Sequence, residues 1–296
     1  MISFTATARG LSQTQRTDLA RCLAGATLIA VAWPIAWLPV RPLSYFYFFP
    51  IWLGYILVVD GLVALRTGAS PMRRSGLRVA WMFAASILQW WIFEAFNEIV
   101  HNWTYLQPLD YSTTQYAILS SIAFATVIPA VLTTAELVRS FRLDPLRRIP
   151  AIRPRGWLLL AVHAAGWLMI AVTVAWPGHA FPLVWLSLIF LLDPLATVLG
   201  GRSIAWHVGR GDWSPVFNLG LAALVCGWFW ELWNVYALPK WTYSIPHVEW
   251  LHIFEMPLLG YGGYIPFGIE VYAFYTAIRL LVPKVTWPDV RVSSRY

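Results

Sequence analysis

Two acid–amide pairs stand in stretches of this chain that are otherwise apolar: Glu94 with Asn97, and Glu231 with Asn234. At a spacing of three residues, acid and amide lie on one face of a helix, with Trp91 or Trp228 one turn earlier. An ionisable group inside an apolar helix is costly and as a rule faces a bundle interior or a wet cavity, so all four residues become candidates for chemistry. A glutamic acid kept neutral by its surroundings is a proton donor, and an asparagine beside it can orient it. The competing use is structural, since asparagines commonly hydrogen-bond between membrane helices and the same pairs could lock two helices together.

Aromatic residues crowd both acids. Trp90, Trp91, Trp228, Trp230 and Trp233 flank them in sequence, and each motif is followed by Trp-Thr-Tyr, at Trp103 to Tyr105 and at Trp241 to Tyr243. Such rings form interfacial belts in membrane proteins. Beside an acid, their faces can also stabilise a cation made by protonating an alkene, or hold a flat or long apolar lipid. The candidate substrate-binding set is therefore Trp91, Trp228, Trp230, Trp233, Trp103, Tyr105, Trp241 and Tyr243, with Glu270 from a later apolar run.

The second half adds His247, Glu249, His252 and Glu255. On a short helix, His252 with Glu249 and Glu255 would share a face and could hold zinc or iron. An amphipathic helix lying in the lipid headgroups explains the same residues, and the reading names no metal and no cofactor. His163, alone in its apolar run, reads as a satisfied interior group rather than a haem ligand. Asp60 and Asp193 precede loops with Arg66 and Arg202, where ion pairs are expected. Glu136 reads the same way beside Arg139. Cys22 and Cys226 both lie in or beside apolar runs and form no disulfide framework. No Ser-His-Asp set, phosphate-binding glycine loop or dinucleotide fingerprint is present.

The elements that position these residues follow from composition. With 59% apolar and 12% charged residues, the chain falls outside the range of soluble domains, and its solvent is a bilayer. Spans of about 20 residues are expected at 19–40, 43–65, 76–100, 113–138, 155–176, 179–200, 213–237 and 255–282. This alternation puts 19 of the 21 basic residues, Arg9 among them, on one side and only Arg41 and Lys240 on the other. By the positive-inside rule that side is cytoplasmic, with both termini there, in a membrane of bacterial inner-membrane type. Basic residues so scattered report orientation and exclude a nucleic-acid partner.

The chain also repeats. Glu94 and Glu231 are 137 residues apart, Ile128-Pro129 and Ile265-Pro266 likewise, and the two Trp-Thr-Tyr segments 138 apart. Upstream, Trp52 and Asp60 match Trp185 and Asp193 at a spacing of 133. The expected fold is all-α: a polytopic bundle of about eight transmembrane helices, built as two parallel four-helix repeats, 1–150 and 151–296. An even number of spans per unit gives both copies the same orientation, so equivalent residues sit at equal depth. Since only the second copy adds His247, His252 and the Gly260-Tyr-Gly-Gly263 turn, it is expected to be the working half.

In its few spans per unit, its duplication and its acids among aromatics, the chain resembles the small membrane cyclases of isoprenoid metabolism. These are the heterodimer-type lycopene cyclases, whose units also occur fused in tandem, and the membrane terpene cyclases. The Pro-x-Glu-Glu signature of the lycopene enzymes is absent. The resemblance implies protonation-initiated cyclisation, hydration or isomerisation of an isoprenoid, with Glu94 and Glu231 as acids. Two other classes stay open: a transporter whose halves rock about the acids, and a lipid-binding or assembly subunit. All three imply a membrane lipid or apolar small molecule as partner, and none fixes whether the protein is a homo- or hetero-oligomer.

Overall fold

The computed structural model describes residues 11–38, 40–107 and 109–295; Arg9 lies outside them. The chain is mostly helical. Its elements are α1 Gln13–Trp37, α2 Phe48–Thr67, α3 Pro71–Ser75, α4 Ala80–Val100, β1 Trp103–Leu106, α5 Thr113–Phe124, α6 Val127–Ser140, α7 Gly156–Ala175, α8 Pro177–Ala180, α9 Val184–Val198, α10 Ile204–Val208, α11 Ser214–Asn234, β2 Lys240–Tyr243, β3 His252–Ile253, β4 Met256–Pro257 and α12 Tyr264–Leu281.

Among the described residues, seven helical stretches are long and apolar enough to cross a membrane: Gln13–Trp37, Phe48–Thr67, Pro71–Val100, Thr113–Ser140, Gly156–Ala175, Pro177–Val198 and Ser214–Asn234. The eighth expected span, 255–282, is not one of them. Helix begins only at Tyr264, and Glu270, Arg279 and three tyrosines dilute its 18 residues.

The reason lies in two Ile-Pro pairs. Pro129 is the third residue of α6 and Pro266 the third of α12, a position where a missing N–H costs little. In the first half, α5 precedes the break, and Ser86 of α4 repairs the backbone there: its hydroxyl donates to the Phe124 carbonyl and accepts from the Ile128 N–H. Such repair by a neighbouring helix is what lets a break persist in a bilayer. Ala223 stands 137 residues on and has no hydroxyl to offer. There the chain takes the β3–β4 hairpin and a 3-10 coil, Leu258–Gly263, in place of a helix like α5.

The helices interlock across the midpoint of the chain. α6 packs along α11 as well as α2, and α12 along α9 and α11, whereas α4 and α12 meet more sparingly. Trp52 of α2 lies 4.9 Å from Trp230 of α11, and Trp185 of α9 lies 5.2 Å from Phe93 of α4. Each second helix thus places its tryptophan on an acid-bearing helix of the other half.

One end of the bundle is closed by β1 and β2, which pair antiparallel with Trp103 opposite Tyr243, Thr104 opposite Thr242 and Tyr105 opposite Trp241. We call this two-stranded ladder the strap. The opposite end carries the arginines and is covered by residues 288–295. Asn218 donates to the Val292 carbonyl at 2.8 Å, Ser293 to Asp212 at 2.6 Å, and the Arg291 N–H to Glu136 at 2.9 Å. Glu136 also pairs with Arg74.

Asp60 and Asp193 do not pair with Arg66 and Arg202. Asp60 binds Arg21 at 2.8 Å and accepts from the Met72 N–H at the start of α3, and Asp193 accepts from the Ile204 and Ala205 N–H groups at the start of α10. Each carboxyl therefore caps the short helix that follows its span, where unpaired N–H groups need an acceptor.

Candidate functional site

Beneath the strap lies a cavity of about 450 Å³, about half of whose lining residues are aromatic, drawn from both halves. Its volume falls within the usual range of small-molecule sites. Phe48 and Phe49 face it from the first half and Phe181 and Trp185 from the second, with Trp103, Tyr105, Trp241 and Tyr243 forming the roof. Trp90, Trp230, Tyr264 and Phe267 complete the lower wall.

Both acids stand just behind this wall, and neither lines the cavity. Glu94 Oε1 accepts hydrogen bonds from the Tyr105 hydroxyl at 2.7 Å, the Trp90 indole at 2.8 Å and the Trp103 indole at 3.3 Å. Glu231 Oε1 accepts from Tyr243 at 2.7 Å and Tyr264 at 2.8 Å. The two sites differ in solvation. Glu94 is half-buried, whereas Glu231 is fully buried and its Oε2 has no partner. Burial, with the neighbouring Glu94, pushes the Tyr105 hydroxyl well above its ordinary range, and burial with Glu231 does the same for Tyr243. Both phenols keep their protons and serve as neutral donors.

The asparagines hold the roof. Asn97 donates to the Trp103 carbonyl at 2.8 Å and accepts from its N–H at 3.1 Å; Asn234 does the same for Trp241, at 2.8 and 2.9 Å. Each amide clamps the first tryptophan of its strand, which swings the following tyrosine back over the acid. Glu, Asn and Trp-Thr-Tyr therefore form one construction in each half.

The two constructions are not identical, and the difference is an exchange. Gly227 stands where Trp90 stands 137 residues earlier, and Tyr264 where Val127 stands. A Cβ at Gly227 would strike the Tyr264 ring. In the first half an indole from the acid's own helix donates to the carboxylate; in the second, a phenol from α12 fills the space left by Gly227 and donates instead. The Tyr264 ring stacks on Trp230 much as Trp90 lies against Phe93.

Several expected neighbours lie elsewhere. Trp91 turns to α5, donating to Ser121 at 3.0 Å, and Trp228 packs on Phe254 with its ring half in the open. Trp233 is buried in the core against Trp52. Glu270 lies below the cavity and does not line it. Sequence reading missed Tyr264, Trp185 and Phe267; the Trp90-to-Gly227 change inside an otherwise aromatic repeat was the available signal for the first.

The helix expected over 247–255 is absent. His247, Leu251 and Phe254 have φ of 68°, 56° and 58°, a region that no helix admits. His252 opens β3, Glu255 pairs with Lys240, and the His247 ring lies 5.2 Å from His179. Among the described residues, no group of three His, Cys, Asp or Glu side chains could hold a metal ion. His163 has its Nδ1 2.9 Å from the Leu191 carbonyl, and its Nε2 accepts from Trp167 at 3.3 Å.

A larger open groove, of about 1390 Å³, runs between α1 and α2 on one side and α4 and α5 on the other, and shares Phe49 and Ile122 with the cavity. No protein-family model matches the chain, and no curated protein or solved structure matches it significantly.

Proposed function

We propose that the chain is an eight-span protein of a bacterial inner membrane, two parallel four-helix repeats (1–150 and 151–296) with both termini cytoplasmic. Its cavity binds an apolar lipid of isoprenoid type, and paired Glu and Tyr residues perform acid–base chemistry on it. The observation that carries this reading is the position of two tyrosine hydroxyls in an aromatic cavity wall, each bonded to a glutamate behind it.

The proton route runs through the phenol. With Glu231 protonated, its hydrogen bond to Tyr243 reverses sense: the acid donates to the tyrosine oxygen and the phenolic hydrogen turns into the cavity. When an alkene carbon takes that hydrogen, the double-bond electron pair forms the new C–H bond, and the Glu231 proton moves onto the tyrosine oxygen. The carbocation so formed faces the indoles of Trp103, Trp241 and Trp230, and a cation over such a ring gains about 0.5–2 kcal/mol. Ring closure or a double-bond shift ends with loss of a proton from the neighbouring carbon to the same Tyr–Glu pair, which restores it. The fully buried Glu231 supports assigning this role to the second half, with Glu94 and Tyr105 as the counterpart.

Shared lining at Phe49 and Ile122 supports lateral access from the bilayer. Acids near one end of the bundle also suit a site fed from the membrane better than an alternating-access carrier, whose site belongs at mid-depth.

The test is to purify the protein in mild detergent and identify co-purifying apolar lipids by mass spectrometry. Wild type is compared with Glu231→Gln, Glu94→Gln and Tyr243→Phe. The expected result is that all four retain the same lipid skeleton, while the cyclised or isomerised product disappears from Glu231→Gln and Tyr243→Phe. Retention of full product by both variants, or absence of any apolar lipid from the wild type, overturns the reading.

A further inference from the structure

One turn below the cavity lies a polar pair that the Tyr–Glu chemistry does not use. Phe93 of α4, Trp185 of α9 and Phe267 of α12 meet with ring centroids 5.2, 5.6 and 5.8 Å apart. α4 runs toward the strap, and α9 and α12 run away from it. Helical spacing then places Gln89, Leu188 and Glu270, four before and three after those rings, together in the next layer. Both polar side chains are buried, Gln89 1% and Glu270 0% exposed. Neither oxygen of Glu270 and neither terminal atom of Gln89 has a hydrogen-bond partner among the described residues.

The corresponding layer of the other half shows what this position is for. Cys226 corresponds to Gln89, Tyr55 to Leu188, and Thr133 and Thr134 to Glu270 and Val271. There the Tyr55 hydroxyl lies 2.9 Å from Thr134 Oγ1, and Cys226 Sγ lies 3.6 Å from Thr134 and 3.8 Å from Tyr55. Three helices are tied by a closed polar cluster. Where the first cluster uses hydroxyls and a thiol, the second has an acid and an amide.

An ionised Glu270 could not complete such a cluster. A carboxylate only accepts, so it would leave the Gln89 oxygen without a donor and a bare charge inside the bundle. Titratable groups of the surrounding helices are engaged elsewhere. Asp193 of α9 caps α10, Glu231 of α11 is held by its tyrosines, Glu136 of α6 by Arg74, and Glu94 of α4 by Trp90, Trp103 and Tyr105. On α12 itself, Tyr264 bonds Glu231, Tyr272 the Arg202 carbonyl, Tyr275 the Pro288 carbonyl, and Arg279 lies 5.5 Å over the Tyr275 ring. A carboxylic acid and a primary amide, by contrast, satisfy one another completely: the acid O–H donates to the amide oxygen, and the amide N–H to the acid carbonyl.

We propose that Glu270 is a proton-binding site between α4 and α12: it carries the proton, and since neither side chain is engaged among the described residues, side-chain rotation lets it share that proton with Gln89. The site stands whether or not the cavity holds a lipid. Because the α4–α12 contact is sparing, the proton can leave only as that contact opens.

Infrared spectroscopy of the protein in lipid nanodiscs tests this. The wild type is expected to show a hydrogen-bonded carboxylic-acid carbonyl band, sensitive to exchange into D2O, that Glu270→Gln removes and Glu94→Gln and Glu231→Gln leave in place. Glu270→Gln can form a two-bond amide pair with Gln89, so that variant should fold. Should it fail to accumulate, Gln89→Leu carries the test alone by moving the band to the frequency of an unbonded acid. If Glu270→Gln matches the wild type throughout the acid-carbonyl region, or the band stays where it was in Gln89→Leu, the proposal is wrong.

Discussion

Thr104 and Thr242 lie directly opposite one another in the strap, and on either side of them the ladder reads the same with the halves exchanged, Trp103 against Tyr243 and Tyr105 against Trp241. A local twofold axis therefore passes between the two threonines. Trp52–Trp230 and Trp185–Phe93 are matching contacts in the two halves, as are the two Asn clamps.

Cysteines placed at these two positions should cross-link. Paired residues of an antiparallel ladder have Cα atoms about 4.5–5.5 Å apart, within the range a disulfide spans. Thr104→Cys with Thr242→Cys is expected to shift on a non-reducing gel under mild oxidation, and adding Asn97→Ala should slow the reaction by loosening the Trp103 clamp. Absence of the cross-link in folded protein would show that the strap opens.

The exchange of Trp90 and Val127 for Gly227 and Tyr264 predicts a compensating double mutant. Gly227→Ala forces its methyl into the Tyr264 ring, and overpacking of this kind costs about 1–3 kcal/mol. Combining it with Tyr264→Val should recover much of that loss, giving a coupling energy in a double-mutant cycle. Thermal unfolding in detergent measures it; strict additivity would refute the proposed fit.

Tyr105→Phe and Tyr243→Phe separate the halves. Each removes a hydroxyl bonded to a carboxyl, worth about 1.5–3 kcal/mol where the acceptor is charged, so both should lower the unfolding midpoint. Only Tyr243→Phe is expected to lower product formation, by about 10²–10⁴-fold for loss of a positioned acid. Equal losses in both would make the halves equivalent.

Acid should loosen the arginine-rich end. Burial raises the Asp212 carboxyl, but hydrogen bonds from His207, Ser214 and Ser293 outweigh it and hold the group well below the usual carboxylate range. Its contribution to stability is therefore fully present above an unfolded value of about 3.9 and disappears as pH falls through the lower folded value. Asp212→Asn should unfold earlier than the wild type at neutral pH, and the gap should close progressively below about pH 4. A gap that stays constant into strong acid would rule out this role for Asp212.

Much of the layout was legible because hydropathy and repetition are long-range signals: seven apolar helices, the Glu, Asn and Trp-Thr-Tyr elements, and Ile-Pro at a shared helix position. What each polar atom binds was not. Asn97 reads as an intramembrane amide, yet its partner is the backbone of Trp103, reached only after the chain leaves the helix in a left-handed turn at His101. Tyr264 reads as an ordinary aromatic until its space is seen to be the one Gly227 vacates. The helix assumed over 247–255 rested on a spacing of three, and spacing does not register three residues of positive φ. Asp60 was matched with the nearest arginine in sequence, whereas its actual partner, Arg21, is 39 residues away.

The segment that closes the arginine-rich end gives the molecule an order of assembly. Glu136 is synthesised with the first half, but the N–H that completes its hydrogen bonding belongs to Arg291, 155 residues later. The same late segment binds Asn218 and Ser214 of α11. Until residues 288–295 are made, the helices therefore leave an acid–arginine pair and an asparagine uncovered. That segment covers both at once, so this end of the bundle closes only after every helix it touches has been made.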